Sequence, residues 1–270
     1  MSKTTNHKLT AKTADKYVLY TESVQSTENE IAFFRRVFQK ENGRPPRVVR
    51  EDFCGTAAIS CDWVPAGADH VAIGVDLDPE PLRWCKEHYV PALSKEQVKR
   101  LQLRRANVLN VQTGKVDVIA ALNFSFCIFK KRAELMHYLK RCHQALADKG
   151  VMIMDIYGGP ESQQPAEEQT AYDDFTYVWD QARYNPITNE ALNHIHFLFP
   201  DGSRMMKAFT YDWRLWTPAE LTEAFMEAGF REARVYWEGS DSDGDGNGVY
   251  RQRRKVDQED AWVAYVVGIK

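Results

Sequence analysis

Glu51-Asp52-Phe53-Cys54-Gly55-Thr56-Ala57, followed by Gly74-Val75-Asp76-Leu77-Asp78, decides the fold. Each segment follows a short apolar run, Arg47-Val48-Val49 in the first case and Val71-Ala72-Ile73 in the second. Apolar runs that end in glycine and small polar residues read as buried strands leading into tight turns. The order is therefore strand, turn, helix, strand, with an acid at the tip of the second strand. In doubly wound α/β proteins such a turn brings backbone close to a ligand. The second-strand carboxylate then accepts hydrogen bonds from the ribose hydroxyls of a nucleoside. Only Gly55 remains of the three glycines with which a dinucleotide fold admits a pyrophosphate, so a nucleoside without phosphates fits better.

Working outward, Ser26-Thr27-Glu28-Asn29-Glu30 opens a helix whose Ile31, Phe34 and Phe38 share one face, and Gly43 to Pro46 ends it. Ala57 to Trp63 is the first crossover helix, and Asp78-Pro79 caps the next. Leu101-Gln102-Leu103 leads to a third strand end at Asn107-Val108. Val116 to Leu122 is an apolar run broken only by Asp117, as a central parallel strand buried on both faces requires. A helix over 131–147 carries Leu135, Leu139, Cys142 and Leu146 on one stripe, and Val151 to Ile156 forms a fifth strand. The pattern then changes. Residues 161–171 read as a polar loop, followed by strands at Phe175 to Arg183, Ala191 to Phe199 and Arg204 to Trp213. The helical pattern resumes at the capping box Thr217-Pro218-Ala219-Glu220, and Val235 to Trp237 and Ala261 to Ile269 close the sheet.

The expected architecture is α/β: a doubly wound, mostly parallel seven-stranded sheet with helices on both faces and a β-meander insert after strand five. Residues 25–270 form one Rossmann-like domain with the insert at about 160–213, and residues 1–24 form an N-terminal segment, polar and loosely attached over 1–16. Five cysteines without a CxxC pair, all within the first 142 residues, point to reduced thiols and a cytoplasmic setting. Neither a signal-like apolar run nor a span of about 20 apolar residues is present, so no membrane is expected. A net charge of −3 gives no general attraction for nucleic acid, which is not expected as a partner. A homodimer stays open.

These residues resemble the class I (Rossmann-like) S-adenosylmethionine-dependent methyltransferases. Glu51 stands at the acid of that family's first motif, Cys54-Gly55-Thr56 matches its Cys-Gly-Thr, and Asp76 matches its ribose-binding acid. Phe53 and Ala57 replace the family's first and last glycines, which leaves a less open loop. The resemblance covers roughly 25–156 and 214–270, and it implies S-adenosylmethionine as cofactor. The positions it implies for cofactor contact are Tyr20, Glu51, Phe53, Gly55, Asp76, Leu77, Asn107, Val108 and Asn123, with Asn107 toward the adenine amino group. Asn123-Phe124-Ser125-Phe126 stands where the family positions the methyl acceptor, but lacks the two prolines of nucleobase amino-methyltransferases.

The acceptor side is less defined. His194 and His196 alternate on one predicted strand and share a face, without a third residue at metal-ligand spacing, so no metal is expected. Tyr211-Asp212-Trp213-Arg214-Leu215-Trp216 supplies aromatic walls and a guanidinium able to clamp a carboxylate. His194, His196, Tyr211 and Arg214 are the candidate catalytic residues. Asp241 to Asn247 has oxygens at alternate positions like a calcium loop, yet Gln252 stands where the bidentate glutamate belongs, so a flexible acidic hairpin loop is expected. The expected reaction is methyl transfer to a small-molecule N, O or S nucleophile. An RNA or protein methyltransferase, and a cofactor-binding protein without catalysis, remain as alternatives.

Overall fold

The computed structural model describes residues 9–241 and 246–270. The chain begins with helices α1 (Lys16–Val24) and α2 (Thr27–Asn42). It then alternates through β1 (Val48–Asp52), α3 (Ala58–Trp63), β2 (Val71–Asp76), α4 (Pro79–His88), α5 (Lys95–Val98) and β3 (Leu101–Arg105). β4 (Val116–Ala121), α6 (Arg132–Ala145) and β5 (Leu146–Gly158) complete this run. Four consecutive strands follow, β6 (Ala166–Ala171), β7 (Thr176–Asn185), β8 (Glu190–Leu198) and β9 (Arg204–Arg214). The last elements are α7 (Pro218–Glu227), β10 (Glu232–Ser240), β11 (Gly246–Arg253) and β12 (Trp262–Ile269).

Two compact units result, one comprising Ser26–Gly159 and Trp216–Lys270, the other Pro160–Leu215 with the N-terminal segment through Gln25. The first is built on an eight-stranded sheet in the order β11-β10-β12-β5-β4-β1-β2-β3. Strands β3, β2, β1, β4 and β5 are parallel; β12 pairs antiparallel with β5, β10 antiparallel with β12 and so along the direction of β5, and β11 antiparallel with β10. The strand order reverses between β1 and β4, and in open α/β sheets a ligand crevice forms outside the carboxyl ends of the strands at such a point.

Alternation along β1 sends its side chains to both faces. On one face Val49 joins Phe34 and Phe38 of α2 and Ile59 and Trp63 of α3 in the main apolar cluster. Burying side chains of this size contributes about 1.5–3 kcal/mol each. On the other face Arg50, 1% exposed, pairs with Asp52 at 2.7 Å, and the Tyr138 hydroxyl of α6 donates to the same carboxylate oxygen at 2.7 Å. Breaking such a buried pair leaves an uncompensated charge, at a cost of about 3–5 kcal/mol.

The second unit is an antiparallel meander in the order β6-β7-β8-β9. Helix α1, capped by Asp15, which accepts from Tyr17 N at 2.8 Å, places Leu19 in an apolar cluster with Ile195 and Phe197.

The structure departs from the sequence reading in four places. The sheet gains an eighth strand, β11, an exposed edge strand whose backbone pairs with β10. Part of the expected polar loop is β6, paired with β7; all six of its residues are exposed, so no apolar alternation marked it. The N-terminal segment, read as preceding the first helix at Ser26, itself carries a helix, α1, with Tyr17 and Tyr20 on it. Residues 9–16 are held rather than loose: Ala11 N donates to Ser203 Oγ at 2.9 Å, and Leu9, Ala11 and Ala14 pack on the meander's apolar cluster. Residues 1–8 of the N-terminal segment, and Asp243 and Asp245 of the calcium-like stretch, lie outside the described residues.

Candidate cofactor site

The turn after β1 is folded onto the tip of β2. Gly55 N donates to Asp76 Oδ2 at 2.7 Å, Asp78 N donates to Asp76 Oδ1 at 2.8 Å, and Cys54 N donates to Val75 O at 3.0 Å. Asp76 thus fixes the turn on one side and starts the loop into α4 on the other. Burial raises its pKa, and the N–H donors of Asp78 and Gly55 oppose that shift. Phe53, Gly55 and Ala57 all adopt left-handed backbone, with φ of 56°, 51° and 54°. Glycine takes this conformation freely, while a side chain adds about 1–2 kcal/mol. The turn therefore closes at the cost of strain in two residues, Phe53 and Ala57. A Cβ built on Gly55 meets nothing within 4 Å, so its backbone faces open space. On β2, a Cβ at Gly74 would stand 3.1 Å from Cys54 Sγ and 3.3 Å from the Ala57 methyl, so the bare strand is what lets the turn close.

Beside this turn lies a cavity of about 630 Å³. Of the residues expected at the cofactor, Phe53, Asp76, Leu77, Asn107 and Val108 line it. Its walls are largely apolar, and Leu77 is left 64% exposed and Ile128 56% exposed on its rim. Such faces suit a planar base. The charged side chains lining it are Asp76, Asp78 and Glu134, all acidic. A phosphate would be repelled there, whereas a sulfonium nucleoside with ribose hydroxyls for Asp76 fits. Asn107 Oδ1 accepts from Leu109 N at 2.9 Å, which fixes the side chain at the cavity edge.

The other expected residues of this unit lie outside that cavity's lining. Glu51, 5% exposed, accepts from Ser60 N at 2.8 Å and Ser60 Oγ at 2.6 Å, tying β1 to α3. Burial pushes its carboxyl up to about 7 against the pull of the Ser60 bonds. Asn123 and Phe124, both at φ 55°, turn the chain after β4 and donate their N–H groups to Asp155 at 2.7 and 2.8 Å. Asp155 is pushed up to about 7 by burial, opposed by those donors.

Tyr20, His194, His196, Tyr211 and Arg214 belong to the meander unit. The strand register places Asn193 opposite Tyr211 and His194 opposite Thr210, so the histidines and Tyr211 project from opposite faces of this sheet. His196 Nδ1 accepts from Lys207 N at 2.7 Å, which leaves Nε2 to carry the proton donated to Asp180 at 3.2 Å. His194 Nδ1 meets Thr210 Oγ1 at 2.9 Å, and burial lowers its pKa. On the other face Tyr211 stacks on Trp213 at 4.4 Å and is hydrogen-bonded to Tyr20. Arg214 ends β9, opposite Glu190.

A family model described as a methyltransferase domain matches residues 52–154, which span the turn, Asp76 and the cavity. Residues 52–154 are a class I, S-adenosylmethionine-dependent methyltransferase domain. The chain is an S-adenosylmethionine-dependent methyltransferase, with S-adenosylmethionine as its cofactor. No curated protein sequence matches the methyltransferase. Among solved structures, it resembles an S-adenosylmethionine-dependent methyltransferase from Clostridium acetobutylicum at TM-score 0.67 and 16% identity, covering 93% of this chain and 96% of that one. It resembles the sugar N-methyltransferase KedS8 from Streptoalloteichus sp at TM-score 0.64 and 18% identity, covering 100% and 97%. It also resembles CalS10, an amino pentose methyltransferase from Micromonospora echinaspora, at TM-score 0.63 and 14% identity, covering 92% and 95%. Identities this low speak for the shared fold.

The sequence reading missed Ile128 and Phe129 on the cavity wall, although the run Phe126-Cys127-Ile128-Phe129 directly after a central strand was a signal. It also missed Glu30 and Asp155, which break an otherwise buried helix stripe and an apolar strand.

Proposed function

We propose that this methyltransferase acts on a small-molecule nucleophile. The observation that carries the reading is the sign of the site: every charged side chain on the cavity lining is acidic. With a net charge of −3, the chain offers little to a polyanionic RNA. Likeness to a sugar N-methyltransferase and an amino pentose methyltransferase over more than nine-tenths of each chain supports the same reading.

Bound S-adenosylmethionine supplies an electrophilic methyl group on its sulfonium. The chain's own part is to hold and align. Asp76 is assigned to the ribose hydroxyls, Leu77, Val108 and Ile128 to the faces of the adenine, and the Gly55 backbone to close approach. Apolar walls exclude water from the reacting groups, so alignment contributes most of the acceleration. The test is release of S-adenosylhomocysteine on incubation with panels of small amines, alcohols and thiols, beside tRNA and protein mixtures. Turnover with a small molecule is the expected result. Turnover confined to the macromolecules, or cofactor binding with no turnover on any panel, would refute the proposal.

A further inference from the structure

Glu30 and Asp155 are buried acids that the cofactor cavity does not use. Glu30, on α2, is 8% exposed, and its Oε2 has no hydrogen-bond partner. Asp155, 9% exposed, lies toward the carboxyl end of β5. The N–H groups of Asn123 and Phe124 hold one oxygen each, which fixes the plane of the carboxyl and leaves each oxygen a further lone pair. Tyr265 of β12 stands opposite Asp155 in the strand register, and Phe33, one turn after Glu30 on α2, stacks on the Tyr265 ring at 4.4 Å, which brings helix and strand together at the two acids. The charges raising Glu30 are Asp155 and Glu51, both of its own sign. Glu51 is already engaged by Ser60. Two such buried acids with like-charged neighbours keep a proton while the site is empty, and an entering cation would favour the carboxylate form of both.

Their place says where that partner comes from. Asp155 holds the turn at the tip of β4, and β4 with β1 flanks the crevice at the sheet's switch point. We propose that Glu30 and Asp155 form an ammonium subsite next to the transferred methyl group, so that the acceptor is an amine. A hydroxyl or thiol acceptor brings one weak donor and no charge. An ammonium brings a compact charge and up to three donors, matching the free lone pairs of two carboxyls. This deepens the small-molecule reading and rests on it.

The cofactor has an α-ammonium of its own, so the test must separate the two sources. S-adenosylhomocysteine carries only that α-ammonium. Sinefungin carries it too, with a further amine on the carbon that replaces the sulfonium. Both are titrated calorimetrically into the wild-type protein and Glu30→Gln, with melting temperature recorded alongside. The expected result is sinefungin binding about tenfold or more tighter than S-adenosylhomocysteine in the wild type, the size of a charge-assisted hydrogen bond. In Glu30→Gln most of that preference is lost while S-adenosylhomocysteine binds unchanged. Equal weakening of both ligands assigns the acids to the cofactor's α-ammonium and overturns the proposal, as does a wild type with no preference for sinefungin. A wild type that binds neither ligand instead overturns the cofactor assignment beneath it.

Discussion

Glu30 gives the sharpest test of how this fold treats buried charge. Burial, with Asp155 and then Glu51 adding to it, lifts its carboxyl from 4.5 to about 8. The folded protein therefore holds a proton that the unfolded chain releases at much lower pH. Stability from this group is complete below about pH 4.5 and is lost as pH rises to about 8. At about 1.4 kcal/mol for each tenfold, the whole gap corresponds to about 5 kcal/mol above pH 8 and to about 3 kcal/mol at pH 7. A glutamine side chain carries no charge at any pH, so Glu30→Gln should remove the loss. Urea unfolding followed by circular dichroism at about pH 5, 7 and 8.5 is the assay. The variant is expected to match the wild type near pH 5 within about 1 kcal/mol and to gain on it by several kcal/mol at pH 8.5. A stability difference that does not change with pH, or a variant less stable at pH 8.5, would refute the reasoning.

The turn, the buried pair and the meander give further expectations. Asp76→Ala should weaken S-adenosylhomocysteine binding about tenfold or more, because it removes a charged acceptor and frees the Gly55 turn; equal affinity by calorimetry would remove Asp76 from that role. Tyr138→Phe should lower stability by about 1–3 kcal/mol, since Asp52 loses a donor inside the core; an unchanged urea midpoint would show the bond to be unimportant. His196→Ala should cost about 1–3 kcal/mol by leaving Lys207 N and Asp180 without their partner, with cofactor affinity unchanged in the same calorimetric assay. Lys149→Gly, at φ 55°, should raise the melting temperature by relieving about 1 kcal/mol of left-handed strain, and a fall would count against that account.

Periodicity and turn chemistry made most of the fold legible. The largely apolar run Val116 to Ala121, the capped starts at Asp78 and Thr217 and the acid ending β2 are local signals, and each became the element it announced. Asp76 and Asn107 were readable for the same reason: a strand tip defines its position by the strand before it, and both line the cavity. Edge strands were not readable. β6 and β11 are held by backbone pairing at the margin of a sheet, and exposed residues leave no burial pattern to detect.

What only the tertiary structure decided is which distant groups meet. Alternation put His194 and His196 on one face, but the neighbouring strand's register sent Tyr211 to the other. Glu30 looked like one of several acids in a helix's first turns, and Asp155 like the end of an apolar strand. Their burial follows from chain packing across more than a hundred positions of sequence. Local pattern fixes the face a side chain occupies. The charge environment it meets there is set by residues far away along the chain, so the raised carboxyls appear only once the sheet and its helices are assembled.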